Sequence, residues 1–196
     1  MTPERRARIL SVLNRRQAGL TVVLDNIEDP HNIAAIMRTC DAVGIQEIFT
    51  VNNKPPRVKK WGAKSSSSAN KWLTHHKFTD VHECIKVLKQ RYDKLMTTHL
   101  AQDSVSLYDI DFKESVALVF GNEQTGVSEA FLAAADGNFI IPQMGIIRSL
   151  NVSVACAVSI YEAMRQKTLA GHYDKRSLPD EQYNMLLEKW GYEEEE

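Results

Sequence analysis

The chain has 196 residues, a formal net charge of −1, 43% hydrophobic and 25% charged residues. That balance suits one soluble globular domain with its own core and excludes a disordered or collagen-like chain. No apolar run approaches the roughly 20 residues that span a bilayer, and Met1 to Gly19 has no apolar leader core, so a cytoplasmic protein without membrane association is expected.

The small net charge hides a strong asymmetry. Residues 1–20 carry five arginines (Arg5, Arg6, Arg8, Arg15, Arg16) against Glu4. Residues 51–77 carry Lys54, Arg57, Lys59, Lys60, Lys64, Lys71 and Lys77 with no acid, whereas the last residues are acidic and end in Glu193 to Glu196, which are expected to be disordered. Two basic segments on a nearly neutral chain indicate a polyanion-binding face, the alternative being two solvated surfaces. The second segment also holds Trp61, Trp72, His75 and His76, and such interleaving of rings with cations favours RNA. Cys40, Cys84 and Cys156 have no CxxC spacing and read as reduced thiols. The six histidines form no HExxH or Cys/His cluster, so no metal site is expected.

In chain order, Thr2-Pro3-Glu4 opens a first helix expected to reach about Arg16, with Ile9, Leu10, Val12 and Leu13 inward. Thr21 to Asp25 is apolar enough for a strand buried on both faces. The turn Ile27 to Asn32 leads into a helix to about Val43, ended by Gly44, and Glu47 to Val51 is the next strand. Strand, helix, strand at that spacing is a βαβ unit with parallel strands. Val81 to Tyr92 is an amphipathic helix, Lys94 to Thr98 a third strand, 101–114 irregular, and Val116 to Phe120 a fourth, buried strand. A short helix from Ser128, a fifth strand Phe139 to Ile141, a long helix to about Lys167 and a weaker one from Leu178 to Lys189 complete an α/β, doubly wound pattern with strand-end loops as the site.

Three of those loops hold the notable polar residues: Asn32 with Arg38 further along its helix, Gly121-Asn122-Glu123 with Gly126, and Ser149, Asn151 and Ser153. Loops at the carboxyl ends of parallel strands converge, so one crevice can contain them all. The residues alone leave a second reading open. Arg38 suits a solvated helix surface, Glu123 suits a loop tie accepting backbone N–H groups, and the glycines suit tight turning. Neither GxGxxG nor GxxxxGK[ST] follows any strand, which argues against common dinucleotide binding and P-loop chemistry.

The same loops carry a resemblance. Asn32-x-x-Ala35-x-x-Arg38, Phe120-Gly121-Asn122-Glu123-x-x-Gly126, and Ile141-Pro142-x-x-Gly145 running through Ser149-Leu150-Asn151-Val152-Ser153-Val154-Ala155 resemble the three motifs of the SPOUT methyltransferases, over about residues 4–173. Arg15-Arg16-Gln17, Asp29-Pro30-His31-Asn32, Arg38 through Gly44 and Thr97-Thr98-His99-Leu100 are similar to the TrmH family within them, whose members methylate the ribose of guanosine 18 in the tRNA D-loop.

The resemblance implies a parallel-sheet SPOUT fold with a C-terminal trefoil knot, a domain over 20–168, a basic helix over 1–19 and an extension with an acidic tail over 169–196. It implies S-adenosylmethionine as cofactor, held by Thr98, Leu100, Gly121, Ile141 and Leu150. It assigns catalysis to Arg38 and Asn32, and substrate RNA to Ser149, Asn151, Glu123, Arg5, Arg8 and Arg15, with Arg6, Arg16, Lys59, Lys60 and Lys64 as further phosphate contacts. It implies a homodimer through the knot region with sites built from both chains, Ala155, Val158 and Ile160 to Ala163 lying at or near the interface. The chemistry is in-line attack of a ribose 2′-hydroxyl on a sulfonium methyl, which requires neither metal nor covalent intermediate. Arginine stays protonated up to a pKa above about 12, so two roles stand for Arg38: proton acceptor assisted by a substrate phosphate, or charged partner of the developing oxyanion. Two departures from the family are the acidic tail, where its members often extend with basic residues, and the loop Gly145-Ile146-Ile147-Arg148-Ser149. Methylation of ribosomal RNA or another tRNA position, and non-catalytic RNA binding on the same fold, are the rival functions.

Overall fold

The computed structural model describes residues 1–53, 69–101, 103–147 and 149–192. Its centre is β1 (Leu20–Asp25), buried along its whole length. Because both faces of β1 are apolar, it is covered on both sides, and β2 (Glu47–Val51) and β6 (Val116–Gly121) pair with it in parallel, Val22 opposite Ile48 and Leu24 opposite Phe120. With β3 (Thr74–Phe78), β4 (Lys94–Thr98), β5 (Val105–Ser106) and β7 (Gly137–Ile140) they form one seven-stranded sheet in the order β3-β2-β1-β6-β4-β7-β5, with every pair parallel. All strand carboxyl ends therefore share one edge.

Alternate side chains of each strand serve opposite layers. On one face Val22, Leu24, Leu118 and Phe120 pack against α2 (Pro30–Ala42) and α6 (Val152–Leu169) through Ile33, Met37, Cys40, Cys156 and Ile160. On the other, Val23, Phe49 and Val119 meet α4 (Val81–Arg91) and α5 (Glu129–Ala134) through Cys84, Leu88 and Phe131. The starts of α2, α4 and α6 are capped by Asp29, Asp80 and Asn151, each accepting from the backbone N–H two residues on, at 2.7–2.8 Å. α6 is also tied beneath the segment before β6. Gln166 accepts from Phe112 N and donates to Ile110 O, each at 3.0 Å, and Lys167 Nζ donates to Glu114 O at 3.1 Å.

A third cluster joins the chain ends. Ile9 and Leu13 of α1 (Pro3–Leu13) pack with Leu178 and with Tyr183, Leu186 and Trp190 of the segment around α7 (Asp180–Lys189). Here the structure departs from expectation. α1 stops at Leu13, because Gln17 joins the sheet end through Gln17 N to Gly44 O at 2.8 Å, and Arg16 turns inward.

The strand β3 is not foreseen from the sequence, where its histidines, with Trp72, look like rings interleaved among RNA-binding cations. These three rings serve the fold instead. Trp72, at the end of the short helix α3 (Ala69–Trp72), meets Trp190 edge-on at 5.1 Å. His75 bonds Thr50 at 2.9 Å, and His76 stacks on Phe49 at 4.6 Å while pairing with Glu47 at 3.4 Å. Burial, then the charges of Lys77 and His76, lower the His75 pKa to about 4, so it is neutral near neutral pH. Trp61, Lys59, Lys60, Lys64, Arg148 and the tail 193–196 lie outside the described residues. No described helix is long and apolar enough to cross a membrane.

Candidate active site

The three motif loops meet. Asn32 Nδ2, in the first turn of α2, donates to Glu123 Oε1 at 2.6 Å, and Asn32 Oδ1 accepts from Asn151 Nδ2 at 3.0 Å. Asn151 Oδ1 accepts from Ser153 N at 2.8 Å and from Ser153 Oγ at 2.6 Å. A carboxylate only accepts, so it fixes which end of the Asn32 amide faces it, and the other end must then face a donor. Glu123 thus holds the Asn32 side chain, rather than the backbone N–H groups expected of a loop tie.

Glu123 is presented on a rigid turn. Asn122 and Gly126 exchange backbone hydrogen bonds at 3.1 and 2.8 Å, and Gly126 has φ +70°. A Cβ on Gly121 would lie 2.2 Å from Gly126 C and Val127 N, so the turn closes only over glycine there. The turn is braced to β1 by residues that sequence reasoning misses. Asn122 Nδ2 donates to Asn26 O at 2.8 Å, and Asn26 itself has φ 54°. The buried Asp25 carboxylate accepts from Asn26 Nδ2 at 2.8 Å and from Ser128 N at 2.7 Å. Asp25 closes an apolar strand, and that polar ending of a buried run is the available signal.

Beside this turn, at the carboxyl ends of β4, β6 and β7, opens a cleft of about 560 Å³. All five residues expected to hold the cofactor line it (Thr98, Leu100, Gly121, Ile141 and Leu150), together with Glu123 and Ser149. Phe120 and Phe139, edge to face at 6.3 Å, back it, and Leu100 and Ile147 are exposed at its rim. Residues 141–147 belong to neither helix nor strand, so their peptide groups are not committed to a ladder. An apolar lining with uncommitted peptide groups suits a neutral heteroaromatic ring with polar appendages.

Asn32, Asn151 and Arg38 do not line the cleft. The first two stand behind Glu123, and Arg38 is on the exposed side of α2. Arg5, Arg8 and Arg15 are exposed on and just beyond α1, away from the cleft lining, and Arg15 borders a surface hollow with Tyr173, Lys175 and Arg176. Arg16, expected to face phosphate, is fully buried. It donates to Asp41 Oδ1 at 2.5 Å and to Ile45 O at 2.9 Å, with its guanidinium 5.3 Å from the Trp190 ring. Ile160 and Ala163, expected at or near a dimer interface, are also fully buried in the chain's own core, whereas Val154 and Tyr161 on α6 are exposed. The three thiols are buried, and burial pushes Cys84 up to about 12 and Cys156 well above the ordinary range, so neither is a nucleophile. Among the described residues no group of three or more His, Cys, Asp or Glu side chains is placed to hold a metal.

A parallel α/β sheet with a cofactor-sized cleft at its carboxyl edge defines the class, and the chain belongs to the SpoU rRNA Methylase family, whose profile matches residues 19–161. It is 43% identical over 189 residues to the tRNA (guanosine(18)-2′-O)-methyltransferase of Thermus thermophilus, covering 96% of each chain. The crystal structure of the A. aeolicus TrmH/SpoU tRNA modifying enzyme superposes with a TM-score of 0.86 at 35% identity, over 96% of this chain and 95% of that one. The SpoU methyltransferase AviRb from Streptomyces viridochromogenes, in complex with AdoMet, superposes with a TM-score of 0.69 at 26% identity, over 82% and 65%.

Proposed function

We propose that this chain transfers the methyl group of S-adenosylmethionine to the 2′-hydroxyl of guanosine 18 in tRNA. The observation that carries the reading is the hydrogen-bonded line Glu123, Asn32, Asn151, Ser153 standing against the cleft. It joins three loops whose residues are otherwise unrelated in sequence. The names of the Thermus thermophilus and A. aeolicus relatives supply the substrate class.

When bound, S-adenosylmethionine supplies an electrophilic methyl on a sulfonium. Leu100, Ile141 and Leu150 offer it apolar surface, and the strand-end peptide groups near Thr98, Gly121 and Ile141 offer polar contacts. Asn151 has both ends of its amide engaged, so it acts by holding Asn32 and by capping α6. Ser149, at the cleft edge beside the α6 start, faces the ribose or its phosphate, where helix N–H groups favour an anion. Arg38 supports negative charge on the 2′-oxygen as it attacks.

Arg38 lies outside the cleft lining of its own chain, so in this reading it is delivered by a second copy. The exposed Val154 and Tyr161 on α6, with Met144 and Ile146 almost fully exposed in the preceding loop, supply the apolar surface for that homodimer. The trefoil knot belongs to the same reading, supported by the bonds from Gln166 and Lys167 that hold α6 beneath the 110–114 segment.

The test is incubation with an unmodified tRNA transcript and methyl-labelled S-adenosylmethionine, with nuclease mapping of the label. Label in the ribose of guanosine 18 is expected. Label in ribosomal RNA fragments incubated in parallel, with none in the tRNA, would move the substrate, and cofactor binding without any transfer would leave an RNA-binding protein. By sedimentation equilibrium the wild type should be a dimer, and a Val154→Asp/Tyr161→Asp variant a monomer without transfer activity.

A further inference from the structure

The turn that carries Glu123 has open space on both sides. The cleft lies on one side, and on the other a second cavity of about 610 Å³ has Asn26, Asn122, Glu123 and Ser128 in its wall. Glu123, Gln124, Thr125 and Gly126 are all exposed, and the chain returns to packed core only at the buried Val127. Core packing therefore does not set where the Glu123 carboxylate stands, and hydrogen bonds must do so.

Two consecutive residues supply them, one for each end of the turn. At the entry, Asn122 Nδ2 donates to Asn26 O at 2.8 Å and Asn122 Oδ1 accepts from Gln124 N at 2.9 Å, so the Asn122 side chain straddles Glu123. At the exit, Ser128 N donates to the buried Asp25 carboxylate at 2.7 Å. Asn26 is itself fixed through its remaining polar groups. Its N donates to Val51 O at 2.8 Å, its Nδ2 donates to Asp25 Oδ1 at 2.8 Å, and its Oδ1 accepts from Asn53 N at 3.1 Å. It is also the one non-glycine residue with positive φ among the described residues, at 54°. Side chains are uncommon in that left-handed region, and asparagine is among the few that tolerate it. Glycine would take the conformation more readily, so the asparagine is explained by what its amide binds.

Resting on the methyltransferase reading above, we infer that Asn26 is a positioning residue for methyl transfer. With Asp25 it clamps the Glu123 turn, so that Glu123 holds Asn32, and Asn32 holds Asn151, beside the cleft. Asn26 stands outside the cleft lining. It acts through Asn122 and Glu123, by the bonds Asn122 to Asn26 at 2.8 Å, Asn32 to Glu123 at 2.6 Å and Asn151 to Asn32 at 3.0 Å. Misplacing catalytic groups by about 1 Å costs on the order of 10²-fold in rate, and a turn without packing on either side has that freedom once its clamp is released.

The experiment compares Asn26→Gly and Asn122→Ala, alone and combined, in the full-length protein. Asn26→Gly keeps the left-handed backbone and deletes the amide, whereas Asn122→Ala deletes the link to the turn. Each should lower kcat on an unmodified tRNA transcript about 10- to 100-fold, with KM for the tRNA and the calorimetric affinity for S-adenosylmethionine within about threefold. Because the two residues sit on one path, the combined variant should stay within about threefold of the slower single variant. Losses that multiply, or a fall in cofactor affinity or urea midpoint with kcat kept, would overturn the positioning role while the methyltransferase reading stands. A second readout does not need transfer. The side-chain amide resonances of Asn32 and Asn151 should shift in both variants, while that of Gln166, bonded to Ile110 O beneath the sheet, stays in place. Unmoved Asn32 resonances would overturn the clamp. Shifted Asn32 resonances in a protein that methylates no tRNA would keep the clamp and remove the proposed reaction. Should Asn26→Gly unfold, Asn122→Ala breaks the same bond from the exposed turn and carries both criteria.

Discussion

The carboxyl edge of the sheet and the cluster of terminal helices are both held by polar groups from distant segments, yet they use them differently. In the cluster, Arg16 is 0% exposed, binds Asp41 and two backbone carbonyls more, and lies under Trp190. At the edge, Glu123 and Asn151 are exposed and Asn32 partly so, and Glu123 borders two cavities. A buried network whose partners all come from the protein has nothing to offer a ligand, whereas one that borders open space can re-pair with it. Two arginines make the point. Arg16 is fully buried among its own partners, and Arg38 is exposed on α2.

The sharpest way to break this contrast is at the two arginines. Arg38→Ala should lower turnover about 10²- to 10³-fold, the usual loss when one group facing a developing oxyanion is removed. Cofactor affinity, measured by calorimetry, should stay within about threefold. Transfer near the wild-type rate would put Arg38 with the solvated arginines. Arg16→Ala should act on the other axis, costing about 3 kcal/mol in urea unfolding, because it removes buried packing and leaves Asp41 and the Ile45 carbonyl without their donor. Its salt dependence of tRNA binding should match the wild type, and a flatter slope would show that Arg16 reaches phosphate after all.

Arg5→Gln/Arg8→Gln should give the opposite pattern. Affinity for tRNA falls several-fold, and the logarithmic salt slope drops by about 1 for each phosphate that is no longer neutralised. Stability should change by no more than about 0.5 kcal/mol, as expected for exposed sites. The smallest effect concerns β3. His75 titrates at about 4 in the folded chain against an ordinary 6.5, so the unfolded chain binds more protons between those values. Stability therefore falls as pH drops from 6.5 toward 4, by about 1 kcal/mol between pH 7 and 5 after allowing for partial solvation. Urea midpoints at the two pH values should differ less in His75→Gln, and an equal difference would assign the acid sensitivity elsewhere, with Glu47 next in line. Its burial disfavours charge, but His76 and Arg91 outweigh that and hold its pKa below the ordinary value.

Much of the site was legible because its residues fall where strand-end signals are strong. Asn32, Glu123 and Asn151 each follow an apolar run, and parallel strands must bring such loops to one edge. The cleft-lining set from Thr98 to Leu150 was implied by the motif resemblance. What escaped was polar structure inside apolar context and apolar structure inside polar context. Asp25 and Asn26 look like the end of a strand, though they brace the Glu123 turn. Thr74 to Phe78 looks like a cation-rich RNA segment, yet it is a sheet edge whose histidines find Thr50, Glu47 and Phe49 as partners.

By itself, the sequence determined five of the seven strands, most of the helices and the parallel α/β class, since these rest on local periodicity, caps and apolar runs that a chain carries in any context. Only the tertiary structure decided which polar residues face inward. It buried Arg16 beneath Trp190, turned Ile160 and Ala163 into the core, paired Asn32 with Glu123 and Asn151, and opened two cavities on either side of one turn. The reason is physical. A charge or an amide has no preferred burial of its own, and its place is set by whether segments far along the chain supply its partners.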